Sequence, residues 1–264
     1  MMIHKIIAKK GKEKITMLTC YDFLTAKILE DAGIDIILVG DSLGTVIKGE
    51  KNTLNVTMEE MIYHLKIVRK GASNSIIVAD MPFLSYGTSK EESVKNAGRL
   101  IKETGANAVK LEGGKELSEV VRAMTTIGIP VMGHIGLKPQ SVNIYGYRVA
   151  GKTDEEVKKL LEDAKALEEA GAFSIVIEET TEEAAKAITE SIKIPTIGIG
   201  AGRFTDGQVL VITDMLGMEK DKSYKHNKAY TNLYEIIRKA VSEYISEVKK
   251  GNFPSEENVF HGQV

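Results

Sequence analysis

The feature that most constrains this chain is a series of eight short apolar runs, each followed by a segment with helical periodicity. Most runs are continuously apolar and rich in Val and Ile, which is typical of strands covered on both faces. Strands that alternate with helices form a parallel sheet, and eight such units predict closure into an α/β (βα)8 barrel. The predicted strands are residues 15–20, 34–40, 75–80, 108–112, 129–134, 173–178, 194–198 and 208–213.

Helix starts are marked by Ser or Thr followed three residues later by Glu, the pattern of a reciprocal capping box. The four pairs are Thr57 with Glu60, Ser89 with Glu92, Thr153 with Glu156 and Thr180 with Glu183. An amphipathic segment over about residues 228–250 is expected to close the barrel, and a tail with little pattern follows it. A barrel needs roughly 250 residues. The 264 residues, without any evident linker, therefore predict a single barrel domain over residues 1–264 with a C-terminal helix and tail.

Composition excludes several classes of partner. The net charge is -2 and no basic stripe is evident, so nucleic-acid binding is not expected. No apolar stretch approaches the roughly 20 residues of a membrane span, and none near the start resembles a signal peptide. Cys20 is the single cysteine, so no intramolecular disulfide can form and a cytoplasmic location is expected. The implied partner is a small molecule.

Ionisable side chains lie at the ends of five successive predicted strands. They are Asp41, Asp80, Lys110, Glu112, His134 and Glu178. In a βα barrel, the carboxyl ends of the strands form the active site. Burying such groups is costly unless they are paired or bind an ion. The pattern therefore predicts a functional site at this rim.

Three of these side chains are carboxylates on adjacent strands, Asp41, Asp80 and Glu112. Oxygen ligands without cysteine or a close pair of histidines suit a hard cation such as Mg²⁺ better than zinc. The alternative is that the acids pair with basic side chains and merely cap strands. The candidate partners are Lys110, Arg148 and Arg203.

The roles of the other polar residues stay open from spacing alone. Glu178 could act as a general base, or it could be a solvated strand end beside Glu179. Strand alternation leaves only one of these two pointing into the barrel mouth. Lys110 could bind a substrate carboxylate or neutralise Glu112. A lone histidine such as His134 is more often a hydrogen-bonded core residue than a catalyst.

The connection over residues 137–152 is long for a loop between a strand and a helix, and such loops are commonly functional. Tyr145, Tyr147 and Arg148 together with two glycines indicate an ordered lid.

With these segments identified, the sequence closely resembles the ketopantoate hydroxymethyltransferase family over residues 15–260. The matching segments are TCYD at 19–22, VGDSLG at 39–44, VADMPF at 78–83, VKLEGG at 109–114, MGHIGL at 132–137, GIGAG at 198–202 and DGQVLV at 206–211. The family pattern commonly has a small residue where this chain has Glu179, and a histidine where it has Thr213.

The resemblance implies a TIM barrel of the phosphoenolpyruvate/pyruvate type and a homo-oligomer, commonly a decamer. It implies hydroxymethyl transfer from 5,10-methylenetetrahydrofolate to 3-methyl-2-oxobutanoate, giving 2-dehydropantoate and tetrahydrofolate in pantothenate biosynthesis. Mg²⁺, one per subunit, would chelate the keto acid and stabilise its enolate. The alternatives are an enolate-type carbon–carbon lyase of the same barrel type and a non-catalytic barrel. Such lyases often use a loop cysteine, and here Cys20 lies in the first predicted strand.

The resemblance also implies roles for individual residues. The metal ligands would be Asp41 and Asp80, with Glu112 completing the site. The keto acid would contact Asp41, Ser42, Asp80, Lys110 and His134. Glu178 would accept the proton.

Overall fold

The computed structural model describes residues 2–220 and 225–262, and the chain separates into two compact units, Met1–Ile212 and Thr213–Val264. In the first unit, eight parallel strands form a closed barrel in sequence order, and β1 pairs with β8 to close it. The strands are β1 (Ile15–Thr19), β2 (Ile36–Val39), β3 (Ile76–Asp80), β4 (Ala108–Glu112), β5 (Val131–Gly136), β6 (Ser174–Glu178), β7 (Thr196–Ile199) and β8 (Gly207–Leu210).

Helices alternate with these strands along the chain. They are α1 (Met2–Ala8), α2 (Phe23–Asp31), α3 (Leu43–Val46), α4 (Met58–Gly71), α5 (Lys90–Thr104), α6 (Ser118–Thr126), α7 (Val142–Tyr145), α8 (Asp154–Glu169), α9 (Glu182–Ser191), α10 (Ile212–Met215) and α11 (Leu233–Lys250). The predicted barrel and all eight predicted strands are confirmed. The eighth strand was predicted to run to residue 213, but it ends at Leu210 because Ile212 already begins α10.

The apolar core fills the amino end of the barrel. Ile15 and Ala108 are the first residues of their strands and belong to one buried cluster with Ile6 of α1, which is 2% exposed. Burying a side chain of this size stabilises the fold by about 1.5–3 kcal/mol. Helix α1 therefore covers the amino end with apolar side chains, and polar residues remain for the opposite end.

The predicted helix caps are confirmed in three of four places. Thr57 and Glu60 form the full reciprocal box, and Ser89 and Thr153 each accept a hydrogen bond from the backbone N–H three residues on. The Thr180 prediction is wrong, because α9 begins after Thr181. The Thr180 hydroxyl instead donates to the Glu178 carbonyl at 2.9 Å.

In the second unit, α11 starts at the Asn232 cap, whose side chain accepts from the Glu235 N–H, and it ends at Gly251. It has no buried residue, and its apolar side chains form one stripe. The exposed members are Ile236, Ile237, Val241, Tyr244, Ile245 and Val248. Pairing of β1 with β8 closes the sheet of the barrel, and the expectation that the last helix completes the barrel stays a prediction. A single domain over residues 1–264 stays a prediction.

Within residues 2–220 and 225–262, no helix combines the length and the apolar character needed to cross a membrane.

Candidate active site

A cluster of buried polar side chains occupies the carboxyl end of the barrel. It contains Asp41, Asp80, Lys110, Glu112 and His134, all less than one-tenth exposed. The strand register brings them together, since β3 and β4 align Asp80 with Lys110, while β4 and β5 align Glu112 with His134. The structure thus places these five predicted site residues side by side at one rim.

Lys110 is paired with Asp80 rather than with Glu112 on its own strand. Its Nζ donates to Asp80 Oδ1 at 2.6 Å, and the other oxygen, Oδ2, accepts from the Asp41 N–H at 3.2 Å. Neighbouring strands account for this choice, because paired residues on adjacent strands lie closer than residues two apart on one strand. Asp80 is therefore held in place by both neighbouring elements.

Three carboxylates and one lysine leave an excess of negative charge at the rim. Burial, together with the charge of Asp80, raises the pKa of Asp41 to about 7. Burial and the charge of Asp41 raise the pKa of Glu112. For Lys110, burial lowers the pKa, but the surrounding carboxylates outweigh it and the net shift is upward. A cation bound at this rim would neutralise the negative charge of the carboxylates that Lys110 does not balance.

The arrangement constrains how such a cation could be held. Within the described residues, no three His, Cys, Asp or Glu side chains are grouped so that they could hold a metal ion. Magnesium commonly takes only one or two protein carboxylates and completes its shell with water and substrate. The residues present fit that mode of binding, and they do not fit an all-protein cage.

Ser42 follows Asp41 and begins the short helix α3. Its Oγ lies 2.8 Å from the Tyr21 hydroxyl, which comes from the segment after β1. A Cβ atom at Gly40 would lie only 2.8 Å from Ser42 Oγ, so the absent side chain leaves room for this hydroxyl. Ser42 thus lies at the same rim as Asp41.

His134 at β5 and Glu178 at the end of β6 extend this cluster along the rim. His134 Nε2 lies 3.2 Å from Glu178 Oε2, and His134 Nδ1 lies 3.6 Å from Glu112 Oε1. Burial and the nearby charge of Lys110 lower the pKa of His134, so the ring is neutral at pH 7. Among the residues that the structure describes, neither ring nitrogen has a hydrogen-bond partner. His134 therefore lies between two carboxylates of the candidate site.

The backbone turns sharply after Glu178, the last residue of β6. Glu179 has φ +41, in the left-handed region that glycine adopts far more easily. Its N–H donates to the Ile199 carbonyl, and its own carbonyl accepts from the Ala150 N–H. The small residue common at this position in the family pattern fits such a backbone conformation.

The predicted lid is ordered and attached at both ends. Near its start, Gln140 is 6% exposed and contacts both Asp41 and Glu112. Near its end, Ala150 forms a parallel bridge with Thr180, beside the end of β6. Gln140 and its partner Tyr86 were not among the predicted site residues. Both come from loops, where no periodic pattern marks a site.

A cavity of about 110 Å³ lies between the lid, the end of β5 and helix α8. Its walls include the apolar Ile135 and Leu137. Three basic side chains also line it, namely Lys138, Arg148 and Lys159.

Comparison with characterised sequences identifies the family. The sequence profile described as ketopantoate hydroxymethyltransferase matches residues 1–256. The 3-methyl-2-oxobutanoate hydroxymethyltransferase of Thermosipho melanesiensis is 58% identical over 99% of this chain and 99% of that protein. The enzyme of the same name from Thermotoga maritima is 58% identical over 98% of this chain and 96% of that protein.

Solved structures with low sequence identity share the barrel fold. A phosphonopyruvate hydrolase in complex with oxalate and Mg²⁺ has a TM-score of 0.64 at 13% identity, covering 100% of this chain and 92% of that one. A 2,3-dimethylmalate lyase, a member of the PEP mutase/isocitrate lyase superfamily, has a TM-score of 0.60 at 15% identity, covering 99% and 92%. The chain therefore has the TIM-barrel fold that these structures share. With the profile match and the relatives of 58% identity, these results show that the chain is an enzyme of the ketopantoate hydroxymethyltransferase family.

Proposed function

We propose that this enzyme transfers the one-carbon unit of 5,10-methylenetetrahydrofolate to 3-methyl-2-oxobutanoate, giving 2-dehydropantoate and tetrahydrofolate in pantothenate biosynthesis. The relatives' name supplies the acceptor and the transferred group. The observation that carries the proposal is the buried set of carboxylates and one lysine that lies beside His134 and Glu178 at the carboxyl end of the barrel. The same features support an enzyme working on a small anionic substrate.

Mg²⁺, one per subunit, is the proposed metal. Asp41 and Asp80 would hold it, and Glu112 would complete the site. The support is the group of buried acids, in which burial and then the charge of Asp80 raise the pKa of Asp41 to about 7. When bound, the ion would supply positive charge to the ketone oxygen while the neighbouring carbon loses its proton.

The keto acid would be held by residues on three sides. Lys110 and the Ser42 hydroxyl would bind its carboxylate end, and Asp41 and Asp80 would lie beside them. The ring nitrogens of His134 would satisfy their hydrogen bonds on the substrate, since they have no partner among the described residues. A buried polar group without a partner costs about 1–3 kcal/mol, so substrate binding would recover that cost.

Glu178 is the proposed general base. Its carboxylate lies beside His134, with Oε2 3.2 Å from Nε2 of that ring, at the carboxyl end of β6. It would take the proton from the carbon that bears the two methyl groups of the acceptor. That carbon would then bond to the folate methylene as the bond from the methylene to N10 breaks, and N10 would take up the proton. Water would next displace N5 from the methylene carbon, so that its oxygen becomes the hydroxyl, its proton goes to N5 and tetrahydrofolate leaves. The ordered lid would limit the access of other water.

The cavity beside the lid is the proposed place for the acidic end of the folate. Folates carry glutamate carboxylates, and basic side chains are their natural partners. Lys138 and Arg148 line this cavity together with Glu156, to which Arg148 is paired at 2.7 Å.

Self-association and a cytoplasmic location are also part of the proposal. The exposed apolar stripe of α11 supports a homo-oligomer, for which the family resemblance implies a decamer. Large exposed apolar patches on soluble proteins commonly mark protein interfaces. The single cysteine, the buried Cys20, is compatible with a reducing compartment.

The decisive experiment is hydrogen–deuterium exchange at the branching carbon of 3-methyl-2-oxobutanoate in deuterated water, with Mg²⁺ and without folate. The wild type should exchange this hydrogen, Glu178→Gln should lose the exchange, and the adjacent Glu179→Gln should retain it. Addition of 5,10-methylenetetrahydrofolate to the wild type should then yield 2-dehydropantoate. A wild type that neither exchanges the hydrogen nor forms this product would overturn the proposal, and cleavage of a 2-hydroxy acid instead would favour the lyase alternative.

A further inference from the structure

The side chain of Gln140 reaches from the lid into the carboxylate site. It lies in a 3-10 turn, Pro139–Ser141, and is 6% exposed. Its Nε2 donates to Asp41 Oδ2 at 2.8 Å and to the Met81 carbonyl at 3.0 Å. A lid residue is therefore bonded directly to one of the carboxylates proposed to hold the metal.

Two further polar atoms of Gln140, the backbone N–H and Oε1, also form hydrogen bonds. Its backbone N–H donates to Glu112 Oε2 at 3.0 Å, and its Oε1 accepts from the Tyr86 hydroxyl at 2.6 Å. The same hydroxyl accepts from the Glu112 N–H at 3.1 Å. Gln140 thus connects carboxylates that follow two different strands, and Tyr86 holds its amide from behind.

We propose that Gln140 is a positioning residue that fixes the carboxylates of Asp41 and Glu112 for metal binding and joins them to the lid. This inference rests on the proposed function. Gln140 would act through the carboxylates and would not touch the reacting atoms.

The chemistry of the amide suits this role. A carboxylate turns easily about its last bond, since such torsions are broad. The Nε2 donor binds Asp41 Oδ2 and so fixes the orientation of that carboxylate. An amide donates this bond without adding charge to a site that already holds three acids and one lysine. Residues that orient metal ligands in this way commonly change metal affinity or activity 10- to 100-fold when replaced.

The contacts of Gln140 also hold one end of the lid in place. Its other end is held at Ala150, whose N–H donates to the Glu179 carbonyl at 2.7 Å, next to the proposed base. One end of the lid therefore depends on the metal carboxylates and the other on the strand that carries Glu178. Loss of Gln140 should loosen the first end and leave the second in place.

The test measures Mg²⁺ and Mn²⁺ binding by isothermal titration calorimetry on the full-length protein without substrate. Gln140→Leu removes the hydrogen bonds of the side chain with little change in volume. The dissociation constant of the metal from this variant should be about 10- to 100-fold higher than from the wild type. Tyr86→Phe removes one hydroxyl, and about a fivefold rise is expected. The matched control is Gln208→Leu, because Gln208 Nε2 also donates two hydrogen bonds, but to Gly202 and Thr205. This control should bind metal like the wild type.

A double variant separates positioning from a general loss of packing. If Tyr86 acts through Gln140, Gln140→Leu with Tyr86→Phe should bind metal no more weakly than Gln140→Leu alone. At saturating metal, the single variants should regain most of the exchange rate with the keto acid.

The outcomes distinguish this inference from the proposed function. Wild-type metal binding and exchange together with unchanged metal affinity in both single variants would overturn the role of Gln140 alone. If circular dichroism shows that Gln140→Leu does not fold, the metal affinity of Tyr86→Phe tests the inference instead, and an unchanged affinity would overturn it. A wild type that binds no metal and exchanges no hydrogen would overturn both.

Discussion

Lys110 Nζ lies 2.6 Å from Asp80 Oδ1, and neither side chain is more than 4% exposed. Removing one partner of such a buried pair leaves an uncompensated charge and commonly costs about 3–5 kcal/mol. Lys110→Met should therefore lower the free energy of unfolding by about that amount, because it leaves three acids without their cation. Urea denaturation at pH 7 measures the change.

The surface pair of Lys90 and Glu119 provides the control. Its side chains are 49% and 83% exposed and lie 3.4 Å apart. Exposed pairs contribute at most about 1 kcal/mol, so Lys90→Met should hardly change the denaturation midpoint. Equal effects of the two substitutions would contradict the importance assigned to the buried pair.

The pKa of Asp41 makes stability depend on pH in a defined window. Burial and Asp80 raise this pKa from its ordinary 3.8 to about 7. Below 3.8 the group is protonated in both states. Between these values the folded protein keeps a proton that the unfolded chain has lost, so the free energy of unfolding falls as pH rises. Above 7 the loss is complete and constant.

Asp41→Asn removes this titration. Relative to the metal-free wild type, the variant should become progressively more stable from about pH 4 to 7, and the difference should then level off. Urea denaturation at several pH values in the presence of EDTA measures it. A difference that stays constant across this range would show that Asp41 is not perturbed.

We expect His134 to lower the free energy of unfolding and to contribute to binding of the keto acid. Its two ring nitrogens are buried and have no hydrogen-bond partner in the described part of the chain. Replacing such a group by an apolar side chain of similar volume is neutral or stabilising. His134→Leu should raise the free energy of unfolding by about 1 kcal/mol and should raise the KM for the keto acid.

His64→Leu is the matched comparison. His64 Nδ1 lies 2.7 Å from the Tyr21 carbonyl, so this substitution removes an existing hydrogen bond. It should destabilise the protein by about 1 kcal/mol. If both variants lose stability equally, the assignment of His134 as an unsatisfied group is wrong.

The left-handed backbone at Glu179, with φ +41, gives a prediction about strain. Glycine adopts this region freely, whereas a β-branched residue strongly resists it. Glu179→Gly should leave stability unchanged or raise it by up to about 1 kcal/mol. Glu179→Val should lower it, and should slow the exchange reaction by displacing the adjacent Glu178.

A helical glutamate should respond in the opposite way. Glu162 lies in the interior of α8, where glycine costs about 1 kcal/mol relative to good helix formers. Glu162→Gly should therefore destabilise the protein. Thermal unfolding ranks the stabilities of the three variants. A lower unfolding temperature for Glu179→Gly than for the wild type would argue against strain at that position.

The barrel and the position of the site could be predicted from the sequence because both follow periodic rules. Apolar runs mark buried strands, and polar residues that end consecutive parallel strands must meet at one rim. Asp80 and Lys110 illustrate this, since they are paired in the register of the neighbouring strands β3 and β4. Ile212 shows the limit, because an apolar residue alone does not reveal whether a strand continues or a short helix begins.

Loop residues at the site were not predictable by these rules. Gln140 and Tyr86 approach the carboxylates from segments without periodicity, and their contacts join positions 54 or more residues apart in several cases. Similarly, Thr180 matched a capping pattern but bonds the Glu178 carbonyl instead. Such contacts depend on the closed barrel, which no local pattern contains.

The exposed face of α11 leads to a prediction about assembly. Val241 is 50% exposed and lies in the middle of the apolar stripe, with Ile237 and Ile245 one turn away on either side. Exposed apolar surface of this kind is stabilised when a second copy covers it. Val241→Asp would place a charge in that contact, so the variant should dissociate into smaller species, as measured by size-exclusion chromatography with light scattering.

Ser242→Asp introduces the same charge one residue away, outside the apolar stripe. It should retain the wild-type mass, because the charge would face solvent in the assembly. Circular dichroism checks that both variants stay folded. A wild type that is monomeric at micromolar concentration, or equal masses for the two variants, would show that α11 is not the contact between copies. A smaller mass for Val241→Asp alone would place the self-association surface on this helix.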